Sequence, residues 1–366
     1  KMKVALLLNI IAPYRVPVYE RIAREFDLRI IITGMEDNRM AWETAFEEPV
    51  KDLIHKARGF TIRKKVQSGN GVYDFRYLHI PLGGMAELKR FNPDAIISSE
   101  MGLRTLIALM YGKLNKKPVW IWWGGSLHTE KKIGFLRKLI RKLVCRVSDH
   151  WISYGESSTK YLLNLGVERN SILQIQNSID EFIYLKSSKP LYNPEIKPAL
   201  LYVGQLIDRK GIPQLINTVA ALQEEGLSFS LYLVGDGPER AKYEQQASSL
   251  NVQHIYFLGN KAPRDLPSVY KSMDCFVLPT LEDVWGLVLN EAIWSKLPVV
   301  ASCYAGATEE IIPEKYRFDP LDKLEFQSAI RKAVRGNVHP IDTEKLLTTE
   351  EVASKIINRI NKEFMI

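Results

Sequence analysis

The sequence is sparing with the residues that staple or metallate a fold. Three cysteines occur in 366 residues, Cys145, Cys275 and Cys303, widely spaced and with no CxxC pair. That excludes a disulfide framework and a thiolate zinc site. Cys275 and Cys303 lie in apolar, strand-like runs and read as small buried hydrophobes, a usage that fits a reducing compartment. No apolar run reaches the roughly 18 residues of a membrane span. The first apolar run continues as LLNIIAPYR, without a glycine, so the G-x-G-x-x-G of a nicotinamide-dependent oxidoreductase is missing where that chemistry needs it. There is no low-complexity tract and no repeat at a fixed period.

What is present is ordinary globular material, 46% hydrophobic and 25% charged, long enough for two domains. The opening KMKVALLLNIIAP has the charge and apolarity of a signal peptide. However, the run is short, lacks a small-residue cleavage site and meets Pro13-Tyr14-Arg15, so a buried first strand is expected. The net charge of +8 is uneven: residues 1–186 hold 30 Lys+Arg against 19 Asp+Glu, and residues 187–366 hold 20 against 23. A basic first half implies an anionic partner.

Strand and helix alternate along the chain. Short apolar runs predict buried parallel strands at 4–8, 28–33, 95–98, 119–123 and 151–153, with amphipathic helices near 16–25, 103–114 and 133–147. The stretch 34–71 is less regular and is expected to be a loop excursion. SSKPLYNPEIKP, residues 187–198, carries three prolines and little apolar content, which marks a domain link. A second series follows: strands at 199–203, 230–234, 255–258, 275–278 and 298–301, helices beginning near Gly211, Pro238, Leu266, Gly286 and Leu321, and a last helix at 349–364. Two doubly wound α/β domains are expected, residues 1–186 and 187–348, with 349–366 a C-terminal helix whose return to the first domain is left open. In such folds ligands bind beyond the carboxyl ends of the strands.

Four segments of the second domain each follow a predicted strand: VGQLIDRKG (203–211), LVGDGPE (233–239), FLGN (257–260) and LPTLEDVWGLVLNEA (278–292). In the last, Asp283 sits in a loop, Gly286 opens a helix, and Glu291 lies inside it. A helix start offers free N–H groups and a positive dipole end to a phosphate, glycine lets backbone approach closely, and the two acids can accept hydrogen bonds from ribose or sugar hydroxyls. A capping acid and an ordinary helix glutamate is the other reading of that pair. Arg209 and Lys210 can flank a diphosphate and stabilise the charge that grows as its bond to a sugar breaks, or form a solvated basic turn. Gly235 in G-D-G-P makes a tight turn.

Together, in this order and spacing, these segments resemble the nucleotide-binding domain of the retaining glycosyltransferases of family 4, with the GT-B fold. The family phrase E-x-F-G-L-x-x-x-E-A reads here D-V-W-G-L-V-L-N-E-A, and G-R-L-x-x-x-K-G reads G-Q-L-I-D-R-K-G. YAGATEEII (304–312) and IQNSID (175–180) resemble two further family phrases. The resemblance implies two Rossmann-like domains facing a central cleft. It places Glu291 on the donor ribose, Lys210 on the diphosphate, the backbone of Trp285, Gly286 and Leu287 along phosphate and sugar, and Asn260 and Lys261 near the base. Two departures stand out: Asp283 replaces the first Glu and Gln205 the usual Arg, with Arg209 as the compensating cation.

The first domain carries fainter signals. NIIAPYRVPVYERIA (9–23) resembles the family phrase after the first strand, which would bring Arg15 to the donor phosphate or the acceptor; a surface arginine is the alternative. WIWWGGSLH (120–128) resembles a W-G-H-G loop in which Gly125 occupies the histidine position after Gly124, leaving His128 as the replacement candidate or as an ordinary loop histidine. Glu100 and Met101 follow a strand and border the pocket, or Glu100 is a buried, paired glutamate. Residues 131–147 hold seven Lys or Arg and no acid. Leu136, Leu139, Ile140, Leu143 and Val147 share a helical face that is expected to pack on the sheet, with the basic residues exposed. Contact with an anionic membrane is a further reading.

The resemblance implies a retaining hexosyltransferase that uses a nucleotide sugar and a glycan or lipid-linked acceptor in envelope or extracellular polysaccharide synthesis; cysteine usage and the basic helix 131–147 add the expectation of a cytoplasmic protein, peripheral on the inner membrane face. No D-x-D occurs, so no metal and no cofactor is expected, and no nucleic-acid partner. A GT-B sugar-nucleotide epimerase and a non-catalytic nucleotide-sugar binder are the rivals.

Overall fold

The structure is a computed structural model that describes residues 1–33, 50–68, 71–186 and 188–365, excluding the side chains of 68 and 74–76. It divides into two compact units. One comprises residues 1–64, 76–180 and 347–366, the other 65–75 and 181–346.

The first unit is built on a seven-stranded sheet: β1 (Lys3–Leu8), β2 (Asp27–Ile32), β3 (Ile54–Lys56), β6 (Ala95–Ser99), β7 (Val119–Trp123), β8 (His150–Tyr154) and β9 (Ile172–Ile175), in the order β3-β2-β1-β6-β7-β8-β9. Every pairing is parallel. Its strands are continuous apolar runs because helices cover both faces. Ala5, Leu7, Ile96, Leu88 and Phe91 pack in one core, and Ile121, Trp123, Trp151, Val144 and Leu162 in another. The helix Thr349–Glu363 belongs to this unit. Thr348 and Glu351 close a capping box at its start, Arg21 Nε reaches Glu350 Oε2 at 2.6 Å, and Val352, Ala353, Ile356 and Ile360 are buried, against the helix Val16–Glu25 and β9.

The second unit holds a six-stranded sheet: β10 (Ala199–Val203), β11 (Ser230–Val234), β12 (Ile255–Gly259), β13 (Cys275–Leu278), β14 (Val299–Ser302) and β15 (Arg317–Phe318), ordered β12-β11-β10-β13-β14-β15 and again parallel throughout. In each sheet the chain order reverses once, beside β1 and β6 in the first and beside β10 and β13 in the second. The loops splayed apart at such a reversal leave a crevice, which is where doubly wound sheets bind ligands.

The two doubly wound domains of GT-B type expected from the sequence are therefore the fold found. The stretch 34–71 departs from its expected loop. Of the stretch 34–71, residues 34–49 lie outside the description, but 50–68 are ordered elements rather than a loop. The helix Val50–Leu53 and β3 extend the sheet edge, and β4 (Phe60–Ser68) pairs with β5 (Gly71–Ile80) as a two-stranded sheet. The alternation of Phe60 and Ile62 with polar neighbours is a strand period, hidden by the basic run Arg63-Lys64-Lys65 that follows. Residues 65–75 group with the second unit, where Val72 N–H donates to Glu239 Oε1 at 2.9 Å and Tyr73 O–H to Glu282 Oε2 at 3.1 Å. The expected burial of both strand cysteines holds for Cys275 only; Cys303 lies one residue past the end of β14 and is exposed.

Candidate active site

In the second unit the loops after β10 and β13 lie side by side. Leu281 N–H donates to Arg209 O at 2.9 Å, the Arg209 guanidinium donates to Glu282 O at 2.8 Å, and Lys210 Nζ pairs with the Asp283 carboxylate. Behind them Asp208 is fixed by Tyr243 O–H at 2.8 Å and Lys242 Nζ at 3.0 Å, which holds the short turn Asp208–Lys210 in place. Burial pushes the Asp283 carboxyl up, but Lys210, then Arg209, outweigh it and hold the group below the usual carboxylate range. Asp283 is an anion tied to a cation, not a proton donor.

The β13 loop is locked from its far side. Asp283 O accepts from Gly306 N–H at 3.1 Å, Trp285 O from Ala307 N–H at 3.0 Å, and the buried Trp285 ring donates to Asn290 Oδ1 at 2.8 Å. Gly286, at φ 90°, turns the chain into the helix Leu287–Trp294, and Asp283, the partner of Lys210, also accepts from Trp285 N–H at 3.3 Å just before that helix. Gly211 ends the cationic turn at φ 73°, and a Cβ there would stand 1.9 Å from Pro279 O. Gly211→Ala is expected to cost more than about 2 kcal/mol, from left-handed backbone strain plus the clash, read as a lower urea midpoint at unchanged m-value.

Glu291 lies in the second turn of that helix. Its Oε2 accepts from Tyr270 O–H at 2.7 Å, and Tyr270 packs edge-on to Tyr184 at 6.0 Å. Burial raises the carboxyl to about 7, with the tyrosine hydrogen bonds only partly offsetting it. Gly235 follows β11 at φ 127°, its N–H bonded to Gly259 O at 2.9 Å. Asn260 is exposed after β12, and Lys261 Nζ stands 5.8 Å from the Tyr192 ring. The second unit thus brings Arg209, Lys210 and Asp283 into contact, with Trp285, Gly286, Leu287 and Glu291 following Asp283 along the same loop and helix, and Gly235, Asn260 and Lys261 after neighbouring strands. Tyr270, Tyr184 and Asn290 are contributions that sequence reading missed. An asparagine amid apolar residues on a helix, five past a tryptophan, was the available signal for Asn290.

The first unit has its own cavity, of about 730 Å³, at the carboxyl ends of β1 and β6. Arg15 and Glu100 line it. The Arg15 guanidinium carbon sits 4.9, 5.5 and 5.6 Å from the rings of Tyr154, Trp122 and Tyr14, close enough for cation–π attraction. Glu100 is exposed at φ 68°, a left-handed conformation uncommon for a non-glycine residue, and lines the cavity, so the expectation of a buried glutamate is corrected: the strand ends before it. Gly124 O accepts from Ser158 O–H at 2.7 Å, and a Cβ at Gly125 would stand 2.3 Å from the Trp123 ring. His128 lies in the turn beyond, 3.4 Å from Lys131 Nζ, and is not among the residues lining the cavity.

The helix Phe135–Val147 reverses its expected packing. Leu136, Leu139, Leu143 and Val147 are exposed, while Arg141 and Val144 are buried. Arg141 is drawn inward by Glu130, with which it pairs, by the Trp123 ring at 4.5 Å and by Tyr161 O–H at 3.2 Å. Desolvation raises the Glu130 carboxyl despite Arg141. One internal ion pair therefore rolls the leucines outward, a choice that helical periodicity alone does not reveal.

Comparison with known proteins agrees with this geometry. Residues 186–346 match the family described as glycosyl transferases group 1. Sulfoquinovosyl transferase SQD2 of Arabidopsis thaliana is 27% identical over 253 residues, 63% of this chain and 46% of that one. The chain spans under half the length of the first curated relatives it matches. Among solved structures, sucrose-phosphate synthase of Thermosynechococcus elongatus superposes with a TM-score of 0.73 at 18% identity, covering 100% of both chains. HepE of Anabaena, in complex with UDP and glucose, gives 0.66 at 17% identity, covering 98% of this chain and 95% of that one. The match to glycosyl transferases group 1 spans residues 186–346, the segment that carries the four motif phrases and the loops described above.

Proposed function

We propose that the chain transfers a hexosyl group, with retention of configuration, from a nucleoside-diphosphate sugar to a glycan or lipid-linked acceptor in polysaccharide or glycolipid synthesis. One observation carries the reading: at the strand-order reversal of the second unit, Lys210 pairs with Asp283 and Arg209 bonds Glu282 O, so two cations are tied to the loop that runs directly into the helix opening at Gly286. Lys210 and Arg209 neutralise the diphosphate, and Arg209 takes the place of the cation lost at Gln205. The N–H groups of Gly286 and Leu287, behind Trp285, add their dipoles. Glu291 accepts from the ribose hydroxyls, with Gly235, Asn260 and Lys261 towards the base. Asp283 keeps Lys210 aimed and accepts from hydroxyls of the donor sugar. Because these donors are fixed before reaction, they stabilise the departing diphosphate without reorganisation, and the work of a metal clamp falls to the protein. The leaving phosphate takes the acceptor's proton during front-face attack through an oxocarbenium-like state. Arg15, Glu100, Gly124 and Gly125 serve the acceptor, and His128 the donor sugar.

We also place the enzyme at a cytoplasmic membrane face through residues 131–147. Phe135, at 83% exposure, with Leu139 and Leu143 makes an apolar strip flanked by Lys138 and Lys142, the composition of an interfacial helix. Leu139→Glu with Leu143→Glu is expected to reduce sedimentation with phosphatidylglycerol vesicles at least about 10-fold, from loss of apolar burial and added repulsion, leaving the circular dichroism spectrum intact.

Incubation with a panel of nucleotide sugars, with and without glycan or lipid acceptors, tests the main reading. Acceptor-stimulated release of nucleoside diphosphate with a retained anomer supports it. Isomerised donor, or binding without turnover, contradicts it.

A further inference from the structure

The cavity of the first unit has a lopsided chemistry. Four arginines line it, Arg15, Arg104, Arg137 and Arg141, against one acid, Glu100. Two of the arginines have structural partners: Arg104 bonds Asn9 and Ser99, and Arg141 pairs with Glu130. The other two differ in kind. Arg15 is held by aromatic faces and stands beside the Tyr19 hydroxyl, while its buried Nε has no hydrogen-bond partner among the described residues, which leaves that N–H to a ligand. Arg137 projects from the helix Phe135–Val147, on the exposed side of the wall. The rest of the lining is mixed, with polar groups at Asn9, Tyr14 and His79 and apolar ones at Leu103, Leu136 and Ile140.

The same helix supplies both Leu136 and Ile140 to the cavity and the bare strip of Phe135, Leu139 and Leu143 to the surface. The apolar wall therefore runs out of the cavity onto that strip without a polar break. A free phosphate uses the arginines but not the apolar exit, and a free sugar uses the polar lining but not that exit. An anionic head on an apolar chain uses both.

We infer that this cavity takes a lipid-linked phosphate or diphosphate as the acceptor, with the phosphate between Arg15 and Arg137 and the chain leaving over Leu136 and Ile140 onto the exposed helix face. The inference rests on the transferase reading, since only a transferase needs an acceptor. Glu100, across the cavity from the helix wall and set by its left-handed backbone, accepts from hydroxyls of whatever sugar the lipid already carries.

Titration calorimetry with geranyl diphosphate, UDP being held in excess so that the second unit's crevice is filled, tests it against geraniol and glucose 1-phosphate. Geranyl diphosphate should bind at least about 10-fold more tightly than either, and Arg137→Gln and Arg15→Gln should each weaken it about 10-fold, the effect of one charge-assisted hydrogen bond. Arg137 is exposed, so its variant keeps the fold even if Arg15→Gln does not. Equal binding of geraniol, equal binding of glucose 1-phosphate, or geranyl diphosphate binding indifferent to Arg137→Gln overturns the inference. UDP binding to the unsubstituted protein, measured first, separates the two readings. UDP bound with geranyl diphosphate ignored rejects the lipid acceptor alone, whereas failure of UDP and of every other nucleotide rejects the transferase.

Discussion

Lys210→Met is expected to lower kcat/KM for donor turnover by about 10³-fold, the loss seen when a fixed charge donor is taken from a departing anion. The variant does two things at once, and they can be separated. Lys210 and Asp283 form a pair whose side chains are only 15% and 19% exposed. Removing the cation strands an anion in a poorly hydrated place, which costs about 3 kcal/mol. Asp283 responds by titrating upward, because the charge that most opposed its burial has gone. The double variant Lys210→Met with Asp283→Asn removes the stranded charge and should recover most of the stability, but none of the activity, since the diphosphate still lacks its partner. Stability follows from urea unfolding and activity from nucleoside diphosphate release. Recovery of both in the double variant would mean that Lys210 serves only the fold.

The second large effect is a pH dependence written into Glu291. With the carboxyl at about 7 in the unliganded protein, nucleotide binding that requires the carboxylate should weaken about 10-fold per unit of pH below 7 and level off above about 8. The fold has the opposite preference. The folded protein holds this proton more tightly than the unfolded chain does, so the stabilising contribution is complete below about 4.5 and is lost as pH rises towards 7. Charging Glu291 therefore costs folding free energy that ribose hydroxyls give back on binding. Nucleoside diphosphate should raise Tm more at pH 8 than at pH 6, and Glu291→Gln should flatten both the binding profile and the stability slope. Tyr270→Phe removes a hydrogen bond that favours the carboxylate and should push the midpoint of the binding profile upward. A pH-independent affinity between 6 and 8 would detach Glu291 from the ligand.

Much of this was legible in the chain because buried parallel strands announce themselves. VWIWW and ALLYV are apolar on both faces, and both strands form where that pattern puts them, at 119–123 and 199–203. Short or mixed elements were not legible. β9, β15 and the helix Gly84–Phe91 carry too few residues for a period to emerge, and β4 hides its alternation behind a basic run. At the site, Lys210 and Glu291 were singled out by their likeness to the family phrases G-R-L-x-x-x-K-G and E-x-F-G-L-x-x-x-E-A. That likeness said nothing of Tyr270 or Tyr243, whose hydroxyls reach the site residues Glu291 and Asp208 from distant helices. The outward roll of the helix Phe135–Val147 was misread for a related reason. Hydrophobic periodicity finds an apolar face but does not say what it faces, and a buried Arg141–Glu130 pair decided the matter.

The central claim is that the turn Asp208–Lys210 and the helix start at Gly286 hold one diphosphate between them. A crystal structure with a bound nucleoside diphosphate is its most direct test. The account predicts phosphate oxygens within about 3 Å of Lys210 Nζ and of the Gly286 or Leu287 N–H, hydrogen-bond distance for a charged pair, with the ribose at Glu291. A diphosphate bound elsewhere, with the Lys210–Asp283 pair untouched, would contradict it.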